Sequence, residues 1–211
     1  MAKLKEGMEL SILNAAEELF TEKGFNGVST TEIALKVGCN QALIHYYYRT
    51  KANLFQKVFE NKLRYLISIF DIRGDNSLSF EENLKIRIES HFDALAKNPK
   101  LPMFILNEVK NNPITIELIR QTFKDNIPNL IINFEEELKI EIEEGRIREI
   151  SAFDLMVNIT SLNIFPFLSL PIIEHFFTLD QAMTEQMFES RKQEIVTTVL
   201  NSIRVVKEKN N

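Results

Sequence analysis

Apolar residues recur along almost the whole chain at helical rather than strand spacing. Ile12, Leu13, Ala16, Leu19 and Phe20 form an i, i+4, i+7, i+8 stripe, and Gly24 predicts the end of that helix. Ser29 and Glu32 have the spacing of a capping box, so a second helix should begin at about Thr30 and end at Gly38. Asn40 can cap a third, from Gln41 to about Tyr47. Residues 51–70 repeat Leu54, Val58, Leu63, Ile67 and Phe70 on one face, a long fourth helix, and residues 73–77 are the clearest break.

Beyond the break, the pattern predicts helices over residues 80–96 and 102–109, then one that starts at Pro113 behind Asn112. That helix should bend or restart at Pro128 before ending at Gly145. Ser151 and Asp154 cap the next, which should reach about Phe165. Thr178 and Gln181 cap the last, with Met187, Arg191, Ile195, Val199 and Ile203 on one side. The expectation is an all-α protein of nine or ten helices without internal repeats.

Composition narrows this picture. The chain has 211 residues, enough for a sizeable core, and its 16 Phe without Trp suggest bulky, purely apolar packing. One Cys cannot staple a fold, and the N-terminus lacks the apolar run of a signal peptide, so a reducing cytoplasm is expected. Residues 155–173 carry no charge, close to the length of a spanning helix. Their polar members and Pro166 and Pro171 favour a buried helix of a soluble protein, with no membrane role.

The formal charge of −5 is unevenly spread. Residues 1–70 hold nine Lys and Arg against seven Asp and Glu, and the remainder hold sixteen against twenty-three. A weakly basic front and an acidic body are compatible with a small DNA-binding head.

The chemistry is concentrated in residues 29–51. Two short helices joined by Val37-Gly38-Cys39-Asn40 have the length and glycine of a helix-turn-helix. Ala34 is small where the helices cross, and Ile33, Val37 and Ile44 can seal a core against Leu19 and Phe20. Four consecutive rings, His45 to Tyr48, cannot all point inward at 100° per residue, so some must be exposed. Gln41 suits adenine edges, and Ala42 and Leu43 suit a thymine methyl. Thr30, Thr31, Tyr47 and Lys51 sit where phosphates would pass.

Residues 12–51 resemble the DNA-binding head of the tetracycline-repressor (TetR) family. The resemblance runs through Ala15-Ala16 with Leu19-Phe20 and Gly24-Phe25, then Ser29-Thr30-Thr31 before Ile33-Ala34. It continues through the Gly38 turn, Ile44-His45-Tyr46-Tyr47-Tyr48 and Thr50-Lys51. His45 stands where the family usually has Tyr, and Cys39 where it has Val, a packing position.

The resemblance implies base contacts from Thr31, Gln41, Ala42, Leu43, His45 and Tyr46, and backbone contacts from Thr30, Tyr47 and Lys51. Tyr48 is expected to pack inside the head, and Tyr46 either packs or reads. The implied architecture is a three-helix head (1–50), a connecting helix (51–74), and a larger helical bundle (75–211) that binds an effector and dimerises through its last two helices. The implied partners are a double-stranded palindromic operator, a second copy and a small effector. The implied function is ligand-released repression, the alternative being a same-fold regulator run by a protein partner or acting as an activator.

For an effector pocket, His91, Phe104, Phe123, Phe134, Phe165 and Phe167 are the candidates, and such a lining suggests a lipophilic or planar ligand. Neither a metal nor a cofactor nor an enzyme is expected. The three His are far apart, residues 71–82 have Arg73 in place of a calcium ligand and Asn76 in place of the loop glycine, and Cys39 has no orienting base partner.

Overall fold

The computed structural model describes residues 2–70 and 77–205, with the side chains of 2–6, 70, 125 and 126 left aside. Among these residues are nine helices. They are α1 (Ala2–Lys23), α2 (Thr30–Val37), α3 (Gln41–Tyr48), α4 (Lys51–Phe70) and α5 (Phe80–Ala96). After them come α6 (Leu101–Asn111), α7 (Pro113–Glu143), α8 (Ala152–Phe176) and α9 (Gln181–Ile203). The only extended pairing among them is an isolated bridge between Ile147 and Arg204. The break expected at 73–77 falls mostly outside the described residues, and so does the side chain of Phe70.

Most helix starts follow the caps read from the sequence. Ser29, Asn40 and Ser151 each accept a backbone N–H at the first turn of α2, α3 and α8. Ser79 and Glu82 form a full reciprocal box at α5. The start of α9 differs from expectation: Asp180 caps it, taking the Met183 N–H at 2.8 Å, and Thr178 lies outside. A carboxylate at the residue directly before the helix outcompetes the hydroxyl farther away because it also complements the helix dipole.

The prolines mark the larger departures. Helix α7 runs through Pro128 without a restart, and α8 continues through Pro166 and Pro171 to Phe176 instead of ending near Phe165. An internal proline costs about 3 kcal/mol through one lost hydrogen bond and a clash with the preceding turn. Buried side chains on both sides offset that cost. Thr115, Leu118 and Thr122 precede Pro128, and Leu130, Phe134 and Leu138 follow it; Leu155, Ile159 and Phe167 flank Pro166.

The helices group into two compact units that do not follow chain order. Unit 1 comprises Met1–Tyr65 and Lys100–Phe123, so it includes most of α4, all of α6 and the start of α7. Its core is a relay of rings: Phe20 meets Phe55 edge-on at 5.3 Å, and Phe55 and Phe59 both meet Phe104. Ile12, Ile33, Ile44, Leu54 and Leu101 close around them.

Unit 2 comprises Leu66–Pro99 and Lys124–Asn211. Its core joins Leu84, Ile88, Phe92 and Leu95 of α5 to Phe134 and Leu138 of α7, Leu155, Ile159 and Phe167 of α8, and Ile195, Val199 and Ile203 of α9. Arg87 is buried beside them, forked onto Glu137 by two bonds of 2.6 and 2.7 Å with its guanidinium over Phe134.

One polar pair lies inside this apolar unit. Asn163 donates to the Ile88 carbonyl and to His91 Nδ1, each at 3.0 Å. Burial pushes the His91 imidazole down from 6.5 to about 4. Folding therefore favours the neutral ring. That stability is complete above the unfolded value near 6.5 and is lost as pH falls toward about 4, in total ~3 kcal/mol. Urea unfolding at pH 7 and pH 5 should show the wild type losing more stability than His91→Gln. Equal losses would show that His91 does not titrate on unfolding.

Candidate nucleic-acid interface

The turn between α2 and α3 is set by backbone geometry. Gly38 takes φ +75°, and a Cβ there would meet nothing within 4 Å, so conformation alone requires glycine. The Cys39 N–H returns to the Ala34 carbonyl at 3.0 Å, closing α2. Asn40 Oδ1 then accepts the Ala42 N–H at 2.9 Å and starts α3. Ile33, Ala34 and Ile44 are buried as expected, while Val37 and Cys39 are half-buried.

Helix α3 divides its residues cleanly. Ile44 and Tyr48 point inward; the Tyr48 hydroxyl donates to the Glu9 carbonyl at 3.3 Å, and burial, with Glu9 and Tyr47 nearby, pushes it up to about 12. Gln41, Ala42, His45 and Tyr46 are exposed, and Leu43 and Tyr47 half-exposed. Tyr46 is 63% exposed, with its ring edge against Tyr47 at 5.1 Å, which removes the packing role left open for it.

On α2, Thr31 is exposed and Thr30 half-buried, where its hydroxyl accepts from Gln41 Nε2 at 2.7 Å. That bond ties the two short helices together and leaves the Gln41 carbonyl oxygen as its outward group. Lys23 pairs with Glu32 and Lys36 with Glu18, joining α2 to α1 on the solvent side.

Lys51, expected at a phosphate, is engaged elsewhere. Its ammonium donates to the Phe25 and Val28 carbonyls, both at 2.9 Å, and lies 4.2 Å from the Phe25 ring centre. One of its three N–H groups is left for a phosphate. From the other side, Glu108 of α6, a buried carboxylate, accepts the Phe25 N–H at 2.7 Å and Asn112 Nδ2 at 3.3 Å. Sequence reading missed Glu108: its only signal is one acid in an apolar helix, and nothing local shows that it is buried.

Arg49 was missed as well. It is the one non-glycine with positive φ among the described residues, at φ 67° and ψ −52°. The Thr50 N–H donates across it to the Tyr48 carbonyl at 2.7 Å, which makes residues 48–50 a γ-turn of the rare, strained kind. Such a conformation costs on the order of 1–3 kcal/mol, so the surrounding structure must hold it.

The six pocket candidates are divided between the two units. Phe104 is core of unit 1, and Phe123, in the same unit, is 43% exposed. In unit 2, Phe134, Phe167 and His91 are buried core residues, and Phe165 is 66% exposed on the outer side of α8. Unit 2 has instead an open cleft of about 470 Å³ floored by Phe92 and Phe188 and rimmed by Asp93, Glu174, Asp180 and Lys192. Phe167 stacks behind its floor, 5.1 and 4.8 Å from those two rings.

Comparison with known proteins agrees with this geometry. Residues 12–58 match the profile described as "Bacterial regulatory proteins, tetR family", from the middle of α1 to the first turns of α4. Over these residues the chain is similar to the DNA-binding head of the TetR family. The match supports a DNA-binding regulator.

The chain is 22% identical over 147 residues to the "Fatty acid metabolism regulator protein" of Bacillus subtilis, covering 70% of this chain and 74% of that one. It is 25% identical over 127 residues to the "Biofilm operon icaADBC HTH-type negative transcriptional regulator IcaR" of Staphylococcus epidermidis, covering 57% and 67%. A solved TetR-family regulator from Marinobacter aquaeolei shares the fold at TM-score 0.68 and 15% identity, over 98% of this chain and 100% of that one.

Because Lys51 satisfies loop carbonyls, Lys51→Ala should lower the melting temperature as well as DNA affinity. Lost hydrogen bonds from a charged donor are worth about 1.5–3 kcal/mol. An unchanged melting temperature with weakened binding would assign Lys51 to phosphate alone.

Proposed function

We propose that this chain is a TetR-family regulator, a cytoplasmic, homodimeric repressor that leaves a palindromic operator when a small effector binds. The carrying observation is the outward face of α3, where Gln41, Ala42, His45 and Tyr46 stand exposed behind a rigid turn. Polar and aromatic groups on such a helix match base edges in a major groove, with Leu43 reaching a thymine methyl. Thr31 flanks them at the bases, and Thr30, Tyr47 and the remaining N–H of Lys51 serve phosphates. Repression over activation is favoured by the negative role named for the Staphylococcus epidermidis relative.

Dimerisation is supported by α8. The uncharged stretch expected to be buried is buried on one face only, through Leu155, Ile159, Asn163 and Phe167. Its other face exposes Phe153, Val157, Phe165, Ile172 and Phe176, and by length and composition α8 passes for a membrane span. A helix-long apolar stripe on a DNA-binding chain suits the same stripe of a second copy across a two-fold axis. The stripe of α9 does not serve the seam, since Ile195, Val199 and Ile203 fill the chain's own core and Val199 is 1% exposed.

The effector reading rests on the cleft of unit 2. Its aromatic floor suits a lipophilic body, and its acidic rim disfavours an anion. Helices α4 and α7 each run from one unit into the other, so a shift in unit 2 can reach the helix that follows the recognition helix after two residues.

Two outcomes test this reading. Phe165→Glu should convert a dimer into a monomer in sedimentation velocity and abolish tight binding to a palindrome; a dimer that persists places the seam elsewhere. Gln41→Ala should cost about 1–3 kcal/mol on the operator and relax preference at one base pair per half-site. Equal weakening on all sequences would remove Gln41 from base reading.

A further inference from the structure

The residue that separates this recognition helix from others of its pattern is His45, and the structure fixes its chemistry. His45 and Arg49 exchange two hydrogen bonds: the Arg49 N–H donates to the His45 carbonyl at 3.0 Å, and His45 Nδ1 lies 3.0 Å from the Arg49 carbonyl. A carbonyl can only accept, so Nδ1 carries the proton. A neutral imidazole has one N–H, which leaves Nε2 as a bare acceptor on an exposed ring.

The γ-turn makes this arrangement possible. With helical angles at residue 49, its carbonyl would point down the axis toward the N–H of residue 53. The positive φ of Arg49 turns that carbonyl back onto α3, and the Asn53 N–H is taken over by Thr50 Oγ1 at 3.1 Å. The strained turn that joins α3 to α4 thus also sets the proton position on a base-reading side chain.

We infer that His45 is a specificity-determining residue that reads an amino base. A tyrosine hydroxyl could donate or accept, so it would tolerate either kind of base edge. Neutral His45 held by Arg49 only accepts. In the major groove the donors are adenine N6 and cytosine N4, whereas guanine O6 and thymine O4 are acceptors. One position of each half-site therefore carries adenine or cytosine on the strand that His45 faces. This assignment rests on α3 being the DNA-reading helix.

Two measurements on the full chain at pH 8 test it. Long-range proton–nitrogen correlation of the histidine-labelled protein should show His45, identified by its loss in His45→Gln, protonated at Nδ1. Arg49→Gly, which relieves the backbone while keeping the carbonyl, should preserve that pattern. Protonation at Nε2 overturns the inference.

Selection of bound sites should then show adenine or cytosine enriched at one position per half-site. Replacing that base by an analogue without its amino group should weaken wild-type binding about tenfold and leave His45→Ala unaffected. His45→Tyr should bind with the preference relaxed. Sequence-specific binding that ignores loss of every amino group in the half-site overturns the role of His45 alone. A wild type without preference for any sequence overturns the regulator reading itself.

Discussion

The loop from Gly24 to Val28 joins two helices, so its backbone groups need partners brought from elsewhere in unit 1. Lys51 supplies donors to the Phe25 and Val28 carbonyls, and Glu108 supplies an acceptor to the Phe25 N–H. A cation from the helix after the recognition helix and an anion from a helix far along the chain therefore grip the same five-residue loop. The Phe25 ring completes the grip, lying under the ammonium and against Phe20 and Phe55. These charges are tolerated where they are because each is spent on hydrogen bonds rather than left unpaired.

The position of α3 follows from that loop. Helix α2 leaves the loop capped by Ser29, the Gly38 turn sets the angle between α2 and α3, and the γ-turn at Arg49 returns the chain to Lys51. The outward face of α3 is thus held at both ends by backbone of positive φ and from beneath by Ile44 and Tyr48. Among its outward groups, Gln41 is bonded to Thr30, His45 to Arg49, and the Tyr46 ring meets Tyr47. Those two internal bonds choose which atoms of each side chain face outward.

Unit 2 shows the opposite economy, with most polar groups excluded and only a few inside. Asn163 serves both the Ile88 carbonyl and His91, and Arg87 is forked onto Glu137. The composition of α8 reports burial on every side, yet the fold covers only one face. A sequence rule cannot separate an apolar residue that fills its own core from one that waits for another surface, because both remove the same area from water.

By itself the sequence determined the helical class, most caps, the Gly38 turn and the residues of α3, since these depend on neighbours within a few positions. It also carried enough of the family pattern over residues 12–51 to identify the head. What it left undecided depended on contacts across long separations. Pro128 and Pro166 looked like breaks because the buried side chains that carry a helix past them are recruited by tertiary packing. The Phe residues assigned to one pocket looked equivalent, but three fill cores, Phe123 and Phe165 are exposed, and unit 1 claims Phe104. Lys51, read as a phosphate ligand, also holds the Phe25 and Val28 carbonyls at 2.9 Å, a duty that only the fold gives it. Local pattern fixes which hydrogen bonds a segment can make with itself; only the folded chain decides which distant group takes those that remain.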